Sequence, residues 1–239
     1  MTTDLQIRDA FAVQAAACTR LGSPFTGQVI GLLGSGLDRS SQTGRRVLDW
    51  PGPPDATGDA LALRLAGAFR ALVNTGRLPD LGRLYPPARM PEVGTLRDAL
   101  MVALVEADSE LAAFLDFAPQ TNEVARSAVL YSGFVTIGRE TGLPLELYEL
   151  GASAGLNLFP DRYGITLGGR EFGPKDAGVR LAPLWSGNEV DGPPPVIVGR
   201  RGCDLNPLDL TDEEERARMR AYIWPDQPDR LTRIDAAIA

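Results

Sequence analysis

The part of the chain best suited to chemistry is the run Leu145 to Leu158, where an apolar stretch ends in Glu149-Leu150-Gly151-Ala152-Ser153-Ala154-Gly155-Leu156-Asn157-Leu158. Residues 151–155 are small without a break. Nothing larger than a hydroxymethyl group projects from them, so a ligand can reach the backbone amides, and a helix opening there near Ala154 would add its positive end. A nucleotide or nucleoside at the end of a strand fits this geometry. The small positions fall at 151, 153 and 155, which fails the GxGxxG spacing of dinucleotide sites and gives acidic-x-Gly-x-small-x-Gly instead. The plainer reading is a tight strand-to-helix turn that binds nothing. Glu149 also reads two ways, as a carboxylate for a cationic ligand group or as an anion stabilising a helix start.

Three further groups bear on the turn. Asn122 and Arg126 stand four residues apart on one helix face, and the Arg126 guanidinium suits a ligand carboxylate; its ordinary alternative is an ion pair with Glu123. Asp204, in Gly202-Cys203-Asp204-Leu205-Asn206-Pro207, reads as a ribose ligand or as a turn residue. Asp161-Arg162-Tyr163 reads as packing, Asp226 with Arg230 as an i, i+4 pair, and Cys203 as buried and inert. The acidic run Asp212 to Glu215 reads as a charged first helical turn, so no metal site is expected.

Composition removes whole classes of chemistry. The chain of 239 residues contains no histidine, which excludes Ser-His-Asp and Cys-His nucleophile pairs, histidine bases and histidine-ligated zinc within one chain. With 24 basic and 31 acidic residues the formal charge is 24 − 31 = −7, and no general nucleic-acid binding is expected. Two distant cysteines, Cys18 and Cys203, form no disulfide framework and point to a reducing compartment, so a cytoplasmic protein is expected. No apolar run approaches the roughly 20 residues of a membrane helix, and no membrane partner is expected.

The elements that must hold these residues divide into two textures. Residues 1–119 carry helical spacing: Leu5 to Ala17; a helix opened by Ser23-Pro24; the stripe Leu61, Leu65, Phe69 and Leu72; a helix capped by Thr95; and Leu111 to Leu115. This predicts a helical bundle. Residues 120–239 read as α/β. A helix carries the stripe Val124, Ala128, Tyr131 and Val135, and Leu145 to Leu150 follows as a strand. Ile165 to Phe172 makes a hairpin about Gly168-Gly169, Val179 to Trp185 adds an extended piece, and Val196 to Val198 forms a second buried strand. A capping box at Thr211 to Glu214 opens one helix, and Leu231, Ile234 and Ile238 mark a last one.

The spacing from Glu149 to Gly155 resembles the first motif of S-adenosylmethionine-dependent methyltransferases of Rossmann-like fold, with Ser153 at the usual middle glycine. The resemblance implies S-adenosylmethionine as cofactor, with Glu149, Gly151, Ala152, Ser153, Gly155 and Asn157 around it, Asp204 on its ribose, and Asn122 and Arg126 alongside. Gln120 to Ser127, Gly151 to Leu158 with Asp161-Arg162-Tyr163, Gly202-x-Asp204-Leu205-x-Pro207, and Trp224-Pro225-Asp226-Gln227 with Arg230 make the whole chain resemble a bacterial family, domain of unknown function 2332. That family implies a helical region joined to a methyltransferase-like region, and no established reaction. It also implies later strands that this chain does not reach. The expected fold is therefore helix-rich α/β: a helical bundle, then an incomplete Rossmann-like sheet with a small antiparallel insertion and a bare edge that a homo-oligomer would cover. The expected function is methyltransferase-like binding of S-adenosylmethionine with no identified base or acceptor. The alternatives are a nonenzymatic, degenerate nucleoside- or partner-binding protein and a nucleotide-binding enzyme of another kind.

Overall fold

The computed structural model describes residues 2–239. The chain forms two compact units, one of residues up to Gln120 with Ala217–Pro228, the other of Thr121–Arg216 with Asp229–Ala239.

The first unit is helical, with α1 (Asp4–Arg20), α2 (Pro24–Gly36), α3 (Gln42–Leu48), α4 (Leu61–Asn74), α5 (Pro79–Gly82), α6 (Val93–Glu106) and α7 (Asp108–Phe114). A reciprocal capping box between Thr3 and Gln6 starts α1, which buries Ile7, Phe11, Gln14 and Cys18 along one stripe. Two glycines set how closely α2 approaches α1. A Cβ on Gly34 would lie 2.6 Å from Phe11 Cβ, and one on Gly27 would lie 2.7 Å from the Ala15 carbonyl. Of the expected stripe, Leu61, Leu65 and Phe69 of α4 are fully buried, and Leu72 is half-buried against the same core.

Helix starts in this unit depend on residues distant in sequence. Ser23 makes no side-chain cap to α2. Its hydroxyl instead meets Thr26 and the Asp226 carboxylate, and Asp226 Oδ2 accepts the Phe25 N–H at 3.0 Å. The cap of α2 therefore comes from 201 residues away, and Asp226 is not the partner expected for Arg230. Asp108, the first residue of α7, likewise accepts the Gln42 and Thr43 N–H groups at 2.6 and 2.7 Å and so starts α3. Thr95 lies inside α6, which begins at Val93.

The second unit contains α8 (Arg126–Thr141), β1 (Leu145–Leu150), β2 (Gly164–Leu167), β3 (Arg170–Phe172), β4 (Arg180–Leu181), β5 (Ile197–Cys203) and α10 (Pro228–Ile238); α9 (Glu213–Ala221) crosses the boundary between Arg216 and Ala217. Val124, Ala128, Tyr131 and Val135 are buried, and Tyr131 packs edge to face on Phe172 with ring centres 5.5 Å apart. β1 and β5 pair in parallel, with Glu149 opposite Gly202 and Leu150 opposite Cys203. β2 and β3 form the hairpin about Gly168 and Gly169, both at positive φ, as a tight two-residue turn requires.

Five expectations are corrected here. The second strand is not a buried one at Val196 to Val198: it runs from Ile197 to Cys203, with Val196 and Val198 exposed. The insertion is not wholly antiparallel, because β4 joins β2 in parallel. No α-helix opens near Ala154; two three-residue 3-10 turns, Leu156–Leu158 and Pro160–Arg162, stand in its place. Pro160 lacks an N–H and crowds the carbonyl four residues earlier, and Ser153 and Gly155 both sit at positive φ, so the run cannot propagate as a helix. Cys203 is exposed rather than buried. The first turn of α9 is capped by Asp212, whose Oδ1 accepts the Glu215 N–H at 3.0 Å, while Thr211 bonds to Asp209. What stands is a helix-rich α/β architecture with one parallel strand pair and a separate three-stranded sheet.

Candidate functional site

The turn after β1 is held from below by β5. The Cys203 carbonyl accepts both the Gly151 N–H at 2.9 Å and the Ala152 N–H at 3.1 Å, so the chain reverses at the carboxy ends of two parallel strands. Gly151 (φ +70°), Ser153 (φ +53°) and Gly155 (φ +72°) all adopt left-handed conformations. Ser153 bears that strain with a side chain and is stabilised by Asp204, whose two carboxylate oxygens accept the Ser153 N–H at 2.7 Å and the Asn206 N–H at 2.9 Å. Those bonds hold the Asp204 carboxyl below the ordinary carboxylate range. The Ser153 carbonyl in turn accepts the Leu208 N–H at 3.2 Å, so Asp204 closes the turn onto the segment after β5.

The far side of the turn is fixed by the start of α8. Asn122 is fully buried and its Oδ1 accepts the Leu156 N–H at 2.7 Å. Asn157, only 3% exposed, accepts the Ser127 hydroxyl at 2.8 Å. The Tyr163 hydroxyl donates to the Leu156 carbonyl at 2.6 Å; burial pushes its pKa up to about 12, which keeps it protonated near neutrality. Arg200 donates to the Leu158 carbonyl at 2.8 Å and pairs with Asp161 at 2.5 Å. The turn is thus tied to β5 through Gly151 and Ala152, to Asp204 through Ser153 and to Asn122 through Leu156, while the Gly155 N–H bonds within the turn to the Ala152 carbonyl.

Against this order, several polar atoms lack partners. Asn122 Nδ2, Asn157 Nδ2, Ser153 Oγ and Glu149 Oε2 are all buried without a hydrogen bond. Four such atoms around one turn are unusual, since a buried polar group without a partner costs about 1–3 kcal/mol. Burial pushes the Glu149 carboxyl above its ordinary range, opposed by the Asn157 amide, which lies beside the carboxylate without closing a hydrogen bond to it, and by the Arg126 guanidinium. Space is available beside the amides, because a Cβ built on Gly151 would meet nothing within 4 Å. A cleft of about 830 Å³ opens next to the turn, and Arg126, Glu149 and Asn157 line it.

Of the nine residues singled out by sequence, the cleft brings together Arg126, Glu149 and Asn157. Asn122, Gly151, Ala152, Ser153, Gly155 and Asp204 build the turn behind it. Arg126 is exposed; its Nε donates to the Glu123 carbonyl at 3.4 Å, but the Glu123 carboxylate pairs instead with Arg230 at 2.6 Å and Arg233 at 3.6 Å from α10. Sequence reasoning missed Ser127, which orients Asn157, and the apolar cleft walls Val129, Leu130 and Phe134. Ser127 lies one residue beyond Arg126, and a buried serine at a helix start carries no spacing signal of its own. Among the described residues no group of three or more acidic or cysteine side chains is placed to hold a metal ion. Among the described residues no helix is long and apolar enough to cross a membrane.

Fold and site together define a helix-rich α/β protein with a small-residue turn at the carboxy end of a parallel strand pair. The chain matches the family model described as "Uncharacterized protein conserved in bacteria (DUF2332)" over residues 8–239, and it belongs to that family. No curated protein matches it, and no solved structure does.

Proposed function

We propose that the turn from Glu149 to Asn157, with Arg126 at its mouth, binds S-adenosylmethionine or its demethylated product in a methyltransferase-like site of Rossmann-like type. The observation that carries this reading is the set of unpartnered polar atoms, Asn122 Nδ2, Ser153 Oγ, Asn157 Nδ2 and Glu149 Oε2, gathered where two parallel strands end. Their donors and acceptors fit a zwitterionic, polar small molecule. Glu149 receives the cationic amino group, Arg126 the carboxylate, and Asn157 and Ser153 supply neutral hydrogen bonds. The open space beside Gly151 admits the ligand against bare backbone. The sulfonium group brings an already activated methyl, so the chain's task is alignment and exclusion of water, work that needs no histidine. Asp204 serves this site by holding Ser153 in its strained conformation.

Calorimetric titration with S-adenosylhomocysteine, NAD and ATP tests the reading. Heat with S-adenosylhomocysteine alone supports it, and silence with all three rejects it. Gly151→Leu is expected to abolish that heat. Gly151→Ala, which carries the same positive-φ strain without the bulk, is expected to retain most of it. A second reading, a nonenzymatic protein whose turn is purely structural, is favoured by one observation: both Asp204 oxygens already accept backbone N–H groups.

A further inference from the structure

The helical unit has a cleft of its own, independent of whatever the turn after β1 binds. It holds about 630 Å³ between α1 and the proline-rich loop of residues 51–56. The loop is a preset wall. The Gly52 carbonyl accepts the Thr2 hydroxyl at 3.1 Å, and the Pro53, Pro54 and Asp55 carbonyls accept the N–H groups of Asp59, Leu61 and Ala60 at 2.8, 3.1 and 2.8 Å. A Cβ on Gly52 would lie 2.0 Å from Asp59 Oδ2, so a side chain there would push the loop out of place. A wall fixed in advance leaves little to be ordered when a ligand enters.

This cleft is rich in hydrogen-bond acceptors, and no arginine or lysine lines it. Gln14 reaches it from α1 although only 9% of the residue is exposed. Its Nε2 is turned to the Cys18 sulfur at 3.4 Å, which leaves Oε1 open to the cleft and accepting no hydrogen bond. Asp9 and Asp55 line the same space, and among the described residues neither pairs with a cation. Acids close to them in sequence behave differently: Asp4 and Asp49 share Arg39, and Asp59 faces Arg64. Arg8, next to Asp9, is spent on the Gly34 and Leu37 carbonyls. Thr57 and Gly58 bond only to Asp55 Oδ1, so Oδ2 is left over, and the Thr57 hydroxyl and N–H keep that carboxyl below its ordinary range and ionised near neutrality.

We propose that this cleft binds a short aliphatic dication, an amine or guanidine whose two charges are met by Asp9 and Asp55 and one of whose N–H groups is donated to Gln14 Oε1. Val13, 68% exposed, and the loop prolines give the methylene stem an apolar seat. A metal ion fits less well. Among the described residues no group of three or more acidic or cysteine side chains is placed to hold one, and the apolar wall offers nothing to a hydrated ion. Anionic ligands meet two like charges with no compensating cation.

The test is calorimetric titration of the full chain with putrescine at low ionic strength. Saturable binding is expected, with butylamine roughly tenfold weaker and the neutral diol of the same length silent. Gln14→Leu keeps the buried volume and removes the open acceptor, Asp9→Asn removes one charge from an exposed helix position, and each is expected to weaken putrescine roughly tenfold with the far-ultraviolet circular dichroism unchanged. On the unaltered protein, putrescine is expected to shift the backbone amide resonances of residues 6–14, Gly52, Asp55 and Ala56 and to leave those of α6 and α7 in place. No saturation at millimolar concentration, equal binding of the diol, or shifts spread over the whole chain overturns the proposal. So does an affinity that Gln14→Leu or Asp9→Asn leaves unchanged, because the heat then reports diffuse attraction of a cation to a chain of net charge −7.

Discussion

The two units treat buried polar groups in opposite ways. In the helical unit the buried polar side chains Gln14, Ser23, Thr26, Ser41 and Thr43 all hydrogen-bond within the unit, several of them at helix starts. In the second unit Asn122, Ser153 and Asn157 are as deeply buried, yet each leaves a polar atom without a partner. A fold optimised only for stability satisfies such groups or replaces them with apolar ones. The helical unit gives each of its buried polar side chains an internal partner, and the turn of the second leaves a cluster of polar atoms unsatisfied, as the proposed ligand site requires. The helical unit has its own exception in Arg70, half-buried over Tyr85 with its Nε unpartnered, and it stands alone rather than in a cluster.

The contrast predicts where substitution costs most. Phe69→Ala, at the fully buried centre of the helical core, is expected to lower unfolding free energy by about 3–5 kcal/mol in urea denaturation. Asp226→Ala removes the long-range cap on α2 and is expected to cost about 1–2 kcal/mol, the Ser23 hydroxyl and Phe25 N–H losing their acceptor. The turn should behave differently. Ser127→Ala combined with Asn157→Leu removes a bonded pair together with an unpartnered amide, and is expected to change stability by less than about 1 kcal/mol while abolishing binding of S-adenosylhomocysteine. A large loss of stability from this double variant would erase the distinction between the units.

Much of this arrangement was legible in the sequence where the signal is local. Leu145 to Leu150 forms the strand its apolar character predicts, Gly168-Gly169 turns the hairpin, and the stripes Leu61-Leu65-Phe69 and Val124-Ala128-Tyr131-Val135 are buried. The acidic-x-Gly-x-small-x-Gly spacing located the turn, and the cluster of unpartnered atoms lies there. What failed was partner choice over long separations. Asp226 and Arg230 match at helical spacing, but Asp226 caps α2 and Arg230 pairs with Glu123, because burial and tertiary approach outweigh an exposed i, i+4 pair worth a few tenths of a kcal/mol. The absent helix after Ala154 was readable from Pro160 alone. The outward cleft on β1 was not, since a strand's free edge depends on which neighbours the fold supplies.

The smallest expected effect is also the most selective probe of the turn. Burial raises the Glu149 carboxyl pKa in the folded protein, so folding takes up protons at this position wherever the unfolded group is already ionised. The sign follows. Glu149 favours the folded state least once both forms are ionised, and its contribution to stability falls as pH rises from the ordinary carboxyl pKa through the raised folded value. Glu149→Gln removes the ionisation and keeps the shape. Its stability relative to the parent is therefore expected to improve as pH rises from the ordinary carboxyl pKa through the raised folded value and to level off above it, read from urea midpoints, with the change softened by the group's partial exposure. The helical unit supplies the control in Asp108, whose carboxyl is lowered by the Thr43 and Gln42 N–H groups against an opposing desolvation. Asp108→Asn is expected to give the opposite trend in a more acidic window, losing ground to the parent as pH rises from the lowered folded value to the ordinary carboxyl pKa and holding level above it. If both variants respond with the same sign, Glu149 is not held in a desolvating environment, and the contrast between a satisfied unit and an unsatisfied turn loses its electrostatic half.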